Sequence, residues 1–224
     1  LKVEFHCHTI YSKDSLMSPE TLLKVCQKRG IDRIVITDHN QIEGALRAVD
    51  LDPQRVIPGE EIMTRDGELL AAFVTQRIPP DLAPEEAIDR LRAQGAFISV
   101  SHPFDRWRRG AWDRANLERI APLVDAVEVF NARCLQQSWN DEAVQFALEF
   151  GLSGTAGSDA HTPAEIGRCG LELPAFTNAK ELRTVLSQGK RFGKISGIWV
   201  HFFSTYAKWE KRRHPERVPT ITIS

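Results

Sequence analysis

Short apolar runs rich in β-branched residues alternate along this chain with segments whose apolar positions recur every three or four residues. That alternation predicts strand-helix units and a largely parallel sheet. The first run, VEFHCHT, leads into SPETLLKVCQKRG, where Ser18 can cap a helix, Pro19 fits its first turn and Gly30 follows its last. DRIVITDHN precedes QIEGALRAVD, and RVIPGEEIMT passes through a predicted turn at Asp66-Gly67 into ELLAAFVT. APEEAIDRLRAQG then leads to AFISVSHPF, WDRANLERIAPL to DAVEVFNAR, and SWNDEAVQFALEFG to LSGTAGSDAH. With CGLELP and NAKELRTVLSQGK this makes about seven units in one domain, residues 1–195, close to the size of a compact α/β barrel.

Residues 196–224 break the pattern. Trp199, Phe202, Phe203, Tyr206 and Trp209 recur at helical spacing, and Lys208, Lys211, Arg212, Arg213 and Arg217 crowd the end of that stripe. Two readings follow. The helix docks on the barrel by its aromatic stripe and leaves a solvated basic end, or it reaches over the barrel mouth with its cations. The final ten residues are expected to be poorly ordered.

Composition serves mainly to exclude. A chain of 224 residues, 42% hydrophobic and 26% charged, with a net charge of -1, is an ordinary soluble globular protein without global attraction to nucleic acid or membrane. The cysteines Cys7, Cys26, Cys134 and Cys169 form neither a C-x-x-C pair nor a zinc-finger spacing, and read as reduced thiols of a cytoplasmic protein. No apolar run approaches the roughly 20 residues of a membrane span, and no charged-then-apolar leader is present; Leu1 stands almost inside the first strand, so an initiator methionine or short leader is expected to be missing. No stable protein partner is implied.

The chemistry collects at the strand ends. His6 and His8 close the first run, Thr37-Asp38-His39 the second, Gly59-Glu60-Glu61 the third and Ser101-His102-Pro103 the fourth; Asn131 and Asp159-Ala160-His161 close two more. Five of the seven histidines thus lie where parallel barrel strands converge on one mouth. Alternation puts His6 and His8 on one side, as it does Asp159 and His161, while Cys7 points into the packing; it separates Glu60 from Glu61, so only one of them is a ligand candidate. Each such residue alone more often satisfies backbone groups than holds an ion. Gathered at one rim, imidazoles and ionised carboxylates need counter-cations. The mixed donors suit two or three divalent ions, manganese, zinc or iron, with magnesium the poorer fit.

Cations lie next to these donors. HPFDRWRRGAW sets Arg106, Arg108 and Arg109 just beyond His102, and Arg133 follows Asn131 by two. Arginine holds phosphate through paired donors, so these four are candidate phosphate ligands, Arg106 and Arg133 foremost, with Lys13 and Arg168 secondary. Trp107 and Trp112 could stack on a base or simply pack locally.

FHCHTIYSKDS, TDHN, PGEEI, SHPF, EVFNAR and GSDAH, in this order over about residues 2–195, resemble the polymerase and histidinol phosphatase (PHP) family of metal-dependent phosphoesterases. The resemblance implies a distorted (β/α)7 barrel with two or three metal ions in its mouth. It implies that His6, His8 and Asp159 hold a first ion, which Glu61 bridges to a second held by His102 and Asn131, and that Asp14, His39 and His161 hold a third. Asp14 and Asn131 stand where many members have histidine; Asn131, a neutral ligand, would make the second site looser or contact substrate instead. The implied reaction is hydrolysis of a phosphate ester by metal-activated water. Asp38 is then a candidate proton donor, and His161 acts through the third ion rather than as a free acid.

The nearest members act on nucleoside 3',5'-bisphosphates or trim short RNA from its 5' end, so the expected partner is a phosphorylated small molecule or short nucleic acid. Alternatives are a histidinol-phosphate phosphatase, an amidohydrolase-type C–N hydrolase, and a metal-binding module without turnover. The second lacks the bridging lysine such enzymes carry at strand four, since AFISVSHPF has none.

Overall fold

In the computed structural model, which describes residues 1–219, the first apolar run is strand β1 (Lys2–Cys7), buried over all but its first residue. A strand covered on both faces belongs at the centre of a sheet. It pairs in parallel with β2 (Arg33–Ile36), which pairs in parallel with β3 (Val56–Met63). Three more strands, β5 (Phe97–Val100), β6 (Ala126–Asn131) and β7 (Ser153–Gly157), also run parallel to one another.

Two departures distort the expected repeat. The turn at Asp66-Gly67 forms as predicted: the Thr64 hydroxyl donates to the Gly67 carbonyl at 2.6 Å and accepts from Gly67 N at 3.2 Å. It reverses the chain, so β4 (Glu68–Ala72) is antiparallel to both β3 and β5. On the other flank β8 (Cys169–Glu172) runs antiparallel to β1 and to β9 (Lys190–Gly193). The order is β7-β6-β5-β4-β3-β2-β1-β8-β9, and a bridge from Cys7 to Ala160, just past β7, nearly closes the sheet into the expected barrel.

Helices cover the outside. In α1 (Pro19–Arg29) Ser18 Oγ accepts from Thr21 N and Gly30 ends the helix in the left-handed region at φ 64°, as the sequence indicates. Its Leu22 and Cys26 pack with Ile34 and Ile36. α2 (Glu43–Leu51) follows β2; α3 (Pro84–Ala93) sets Ile88 and Leu91 against Ile98 and Val100. α4 (Arg114–Ile120), α5 (Gln137–Glu149) and α6 (Ala179–Val185) complete the shell.

The last helix, α7 (Trp199–Arg213), docks by the face the aromatic pattern did not indicate. Its buried residues are Ser204, Ala207, Glu210 and Lys211, whereas Trp199, Phe202, Phe203, Tyr206 and Trp209 are all exposed. Polar bonds decide this. Lys211 Nζ donates to the carbonyls of Ile10 and Ser12, and Arg133 donates to Val200 O and Ser204 Oγ. The helix therefore reaches over the barrel mouth with its cations, and the aromatic stripe plays no part in docking. Of the final ten residues, 215–219 form a 3-10 turn and a short tail, and the rest lie outside the described residues.

Candidate metal centre

His6 Nε2 and His8 Nε2 lie 3.2 Å apart at the end of β1. Glu61 Oε2 is 3.4 Å from each, and Asp159 Oδ1 is 3.6 Å from His6 Nε2 and 3.2 Å from His8 Nε2. Four donors about 2.1 Å from a common centre in a tetrahedron would stand about 3.4 Å apart. All four side chains are fully buried, and Glu61 Oε2 and Asp159 Oδ1 meet no hydrogen-bond donor. Asp159 reaches this position with φ 53°, a left-handed conformation that Asp adopts more readily than most residues.

Neighbouring side chains fix which nitrogens face inward. His6 Nδ1 lies 2.9 Å from Glu128 Oε1, so it carries the proton and Nε2 the lone pair. His8 Nδ1 lies 3.1 Å from Ser12 Oγ, whose own proton goes to Asp38 Oδ1 at 2.7 Å. Ser12 must then accept from His8 Nδ1, which again leaves Nε2 as the lone pair. Two imidazoles and two carboxylates pointing at one another need positive charge between them, from protons or from a cation, and these residues fit a divalent ion.

A second group forms around Asp14. Its Oδ1 is 3.5 Å from His39 Nε2 and 3.4 Å from His161 Nε2, and meets no hydrogen-bond donor. His161 Nδ1 donates to the Asp159 carbonyl at 2.8 Å, which turns its Nε2 lone pair inward. Burial disfavours the Asp14 charge, but His161 and His39 outweigh it and hold the carboxyl well below the usual carboxylate range. Lys208 of α7 sits 3.3 Å from Asp14 Oδ2.

His102 Nε2 stands 3.1 Å from Glu61 Oε1 and its backbone N–H donates to Glu128 Oε2. Asn131 comes to the same region. Its Oδ1 accepts from Arg133 N at 2.8 Å, and its Nδ2 donates to Glu128 Oε2 at 3.0 Å and Asp159 Oδ2 at 3.2 Å, so the amide holds carboxylates in place. Asp38 is fully buried and accepts from Thr9 N, Thr9 Oγ1 and Ser12 Oγ.

The arginines divide differently from expectation. Arg106 forks onto Glu142 on the surface, both bonds 2.9 Å, whereas Arg133 lines the cleft while bonding to Ser204, Val200 O and the Asp159 carbonyl. Arg108 takes the central place: Nε binds Asp105 Oδ2 at 2.9 Å, Nη1 binds Asp159 Oδ2 at 2.6 Å, and buried Nη2 meets no acceptor. Lys13, Arg109 and Lys208 line the same cleft, of about 880 Å³, with Asp14, His39 and His161. Arg168, not among the lining residues, bonds back to the Ala164 carbonyl on the surface. Trp112 packs in the core and donates to the Glu68 carbonyl, while Trp107, 75% exposed, stands at the cleft rim.

Two buried acids were not singled out from the sequence. Glu128 interrupts the apolar strand AVEVFN, an anomaly that does mark it. Glu68, the first residue after the predicted turn, lies 3.6 Å from His102 Nε2; recognising it required seeing that a hairpin brings the start of β4 to the same end as the close of β3.

Family profiles for the PHP domain and the PHP-associated segment match residues 4–52 and 137–190. An uncharacterised protein of Methanocaldococcus jannaschii, MJ0417, is 37% identical over 196 residues, which cover 83% of this chain and 79% of that protein. PsfC from Pseudomonas syringae superposes with a TM-score of 0.68 at 19% identity, over 93% of this chain and 98% of that one. The lesion-specific endonuclease PfuEndoQ from Pyrococcus furiosus does so with a TM-score of 0.60 at 15% identity, over 85% of this chain and 57% of that one. Among the described residues no helix is long and apolar enough to cross a membrane.

Proposed function

Because the chain belongs to the PHP family of metal-dependent phosphoesterases, we propose that it cleaves a phosphate ester of a nucleoside 3',5'-bisphosphate or at the 5' end of a short oligonucleotide. The observation that carries this reading is Arg108: a partly buried arginine, tied to the ligand Asp159, whose Nη2 meets no acceptor among the described residues, beside a cleft lined by further cations. A phosphoryl oxygen is the acceptor whose charge and geometry fit.

His6, His8, Glu61 and Asp159 would hold one ion, and Asp14, His39 and His161 another. Ions of this kind, manganese, zinc or iron by the mixed nitrogen and oxygen donors, supply Lewis acidity toward water and phosphoryl oxygens. The chain's own residues do the rest. Arg108 fixes the phosphate beside the carboxylate cluster, and its second bond to Asp105 keeps the guanidinium plane from turning. Lys208, about half exposed, adds a mobile positive charge over Asp14 and offsets charge that develops on the phosphoryl group. Trp107 offers an exposed ring to a base at the rim.

The test is to purify the protein with manganese and assay 3',5'-bisphosphates, short 5'-phosphorylated RNA, histidinol phosphate and dihydroorotate-like amides. Phosphate release or RNA trimming is expected from the first two. A fully metal-loaded protein that cleaves no phosphate ester overturns the proposal.

A further inference from the structure

We propose that Glu68 is a metal ligand, supplying an anionic donor beside His102 and Glu61 at the second position of the centre. The inference rests on the phosphoesterase reading only in expecting an ion beside His102.

Three observations lead to it. First, Asn131 is engaged at both ends of its amide: its oxygen accepts one bond from Arg133 N, and its amino group holds Glu128 Oε2 and Asp159 Oδ2. Turning its oxygen toward an ion would leave two buried carboxylate oxygens without that donor, a costly exchange.

Second, the opposite flank is built for one. His102 Nε2 stands 3.1 Å from Glu61 Oε1 and 3.6 Å from Glu68 Oε2. Glu68 Oε1 lies 4.0 Å from His39 Nδ1, and donor atoms of His39, Glu61 and Glu68 all fall within 4.8 Å of one another. Glu68 is only 6% exposed. It lines the cleft, and its two oxygens face the imidazoles of His102 and His39, an arrangement of acid and nitrogen donors that a divalent cation completes.

Third, the backbone around Glu68 is shaped to hold it there. Glu68 N donates to Gly110 O at 3.0 Å, and Trp112 Nε1 donates to Glu68 O at 3.0 Å. A Cβ on Gly110 would fall 2.1 Å from Glu68 Oε2, so only glycine leaves the carboxylate its place. The result replaces a neutral amide by an anionic oxygen. One imidazole and two carboxylates form a harder donor set, better suited to manganese or iron than to zinc.

The test counts ions. Wild-type protein, Glu68→Gln and Gly110→Ala are titrated with manganese by calorimetry and weighed by native mass spectrometry, with circular dichroism to confirm folding. Glu68→Gln, nearly isosteric, and Gly110→Ala, which pushes the carboxylate aside, are each expected to bind one ion fewer than wild type or to bind it at least tenfold more weakly. Glu60→Gln should keep the wild-type count. An unchanged count and affinity in folded Glu68→Gln overturns the proposal. The readout needs no substrate: loss of an ion in a protein that cleaves no phosphate ester would leave Glu68 a ligand and remove the phosphoesterase reading.

Discussion

Ser12 gives its hydroxyl proton to Asp38 and therefore takes one from His8, so a carboxylate outside the cleft decides which nitrogen of His8 faces the carboxylate cluster. Asp38, a candidate acid in the sequence, stands in the structure as the acceptor of the Ser12 proton. Asp38→Ala, which removes the acceptor of the Ser12 proton and frees that hydroxyl to donate to His8 Nδ1, is expected to weaken manganese binding about 10- to 100-fold. An acid catalyst would instead show itself as a lost limb in the pH-rate profile of the metal-saturated variant, which is not expected.

The two neighbouring glutamates of β3 make a sharper contrast. His6→Ala and Glu61→Ala should each abolish turnover, while Glu60→Gln should keep most of it. Glu60 lies on the other side of the strand, where its carboxyl accepts from Ile78 N at 2.9 Å and burial pushes its pKa up to about 8. The folded protein thus binds a proton that the unfolded chain releases near pH 4.5, so the stability gained from this group is complete below that pH and is lost as pH rises toward 8. Denaturant unfolding at several pH values should show this decline in wild type and a smaller one in Glu60→Gln, where the buried Glu4, also pushed up to about 8, still contributes.

Ion binding should release protons. Burial disfavours charge on His6 and His39, yet Asp159, Glu128 and Glu61 around the first, and Glu61 and Asp14 around the second, hold both well above the ordinary imidazole pKa in the metal-free protein. Both must be neutral to act as ligands, so manganese affinity should fall as pH drops. Calorimetry in buffers of different ionisation enthalpy measures the released protons directly; an affinity independent of pH between 6 and 8 would contradict this account.

Among the arginines, Arg108→Ala should raise KM for a phosphorylated substrate at least tenfold, whereas Arg106→Ala, which removes only an exposed pair with Glu142, should change it less than twofold. Lys208→Ala is expected to fall between, with Lys208→Arg close to wild type. Steady-state kinetics with excess manganese gives all four values.

Much of this was legible because barrel chemistry is written at strand ends. H-x-H alternation placed His6 and His8 together, and the separation of Glu60 from Glu61 held in three dimensions. What escaped depended on chain reversal and on competition between polar bonds. Glu68 is ordinary as a sequence letter and becomes remarkable only when a hairpin turns it back to the mouth. Asn131 and Arg133 lie where motif residues should, but their hydrogen bonds to each other and to α7 give them other work. The docked face of α7 was unreadable from hydrophobic spacing, since two carbonyls and a serine outweighed five aromatic rings.

That manner of docking has a consequence for how the protein reports its own state. Lys211 grips the loop between His8 and Asp14, and Lys208 rests on Asp14 itself, so the last helix is fastened to ligand-bearing backbone rather than to the hydrophobic shell. Stripping the ions loosens that loop and with it the fastening. A protease that cuts within residues 199–213 should therefore act faster after chelation, making the C-terminal end a gauge of metal loading at the opposite end of the chain.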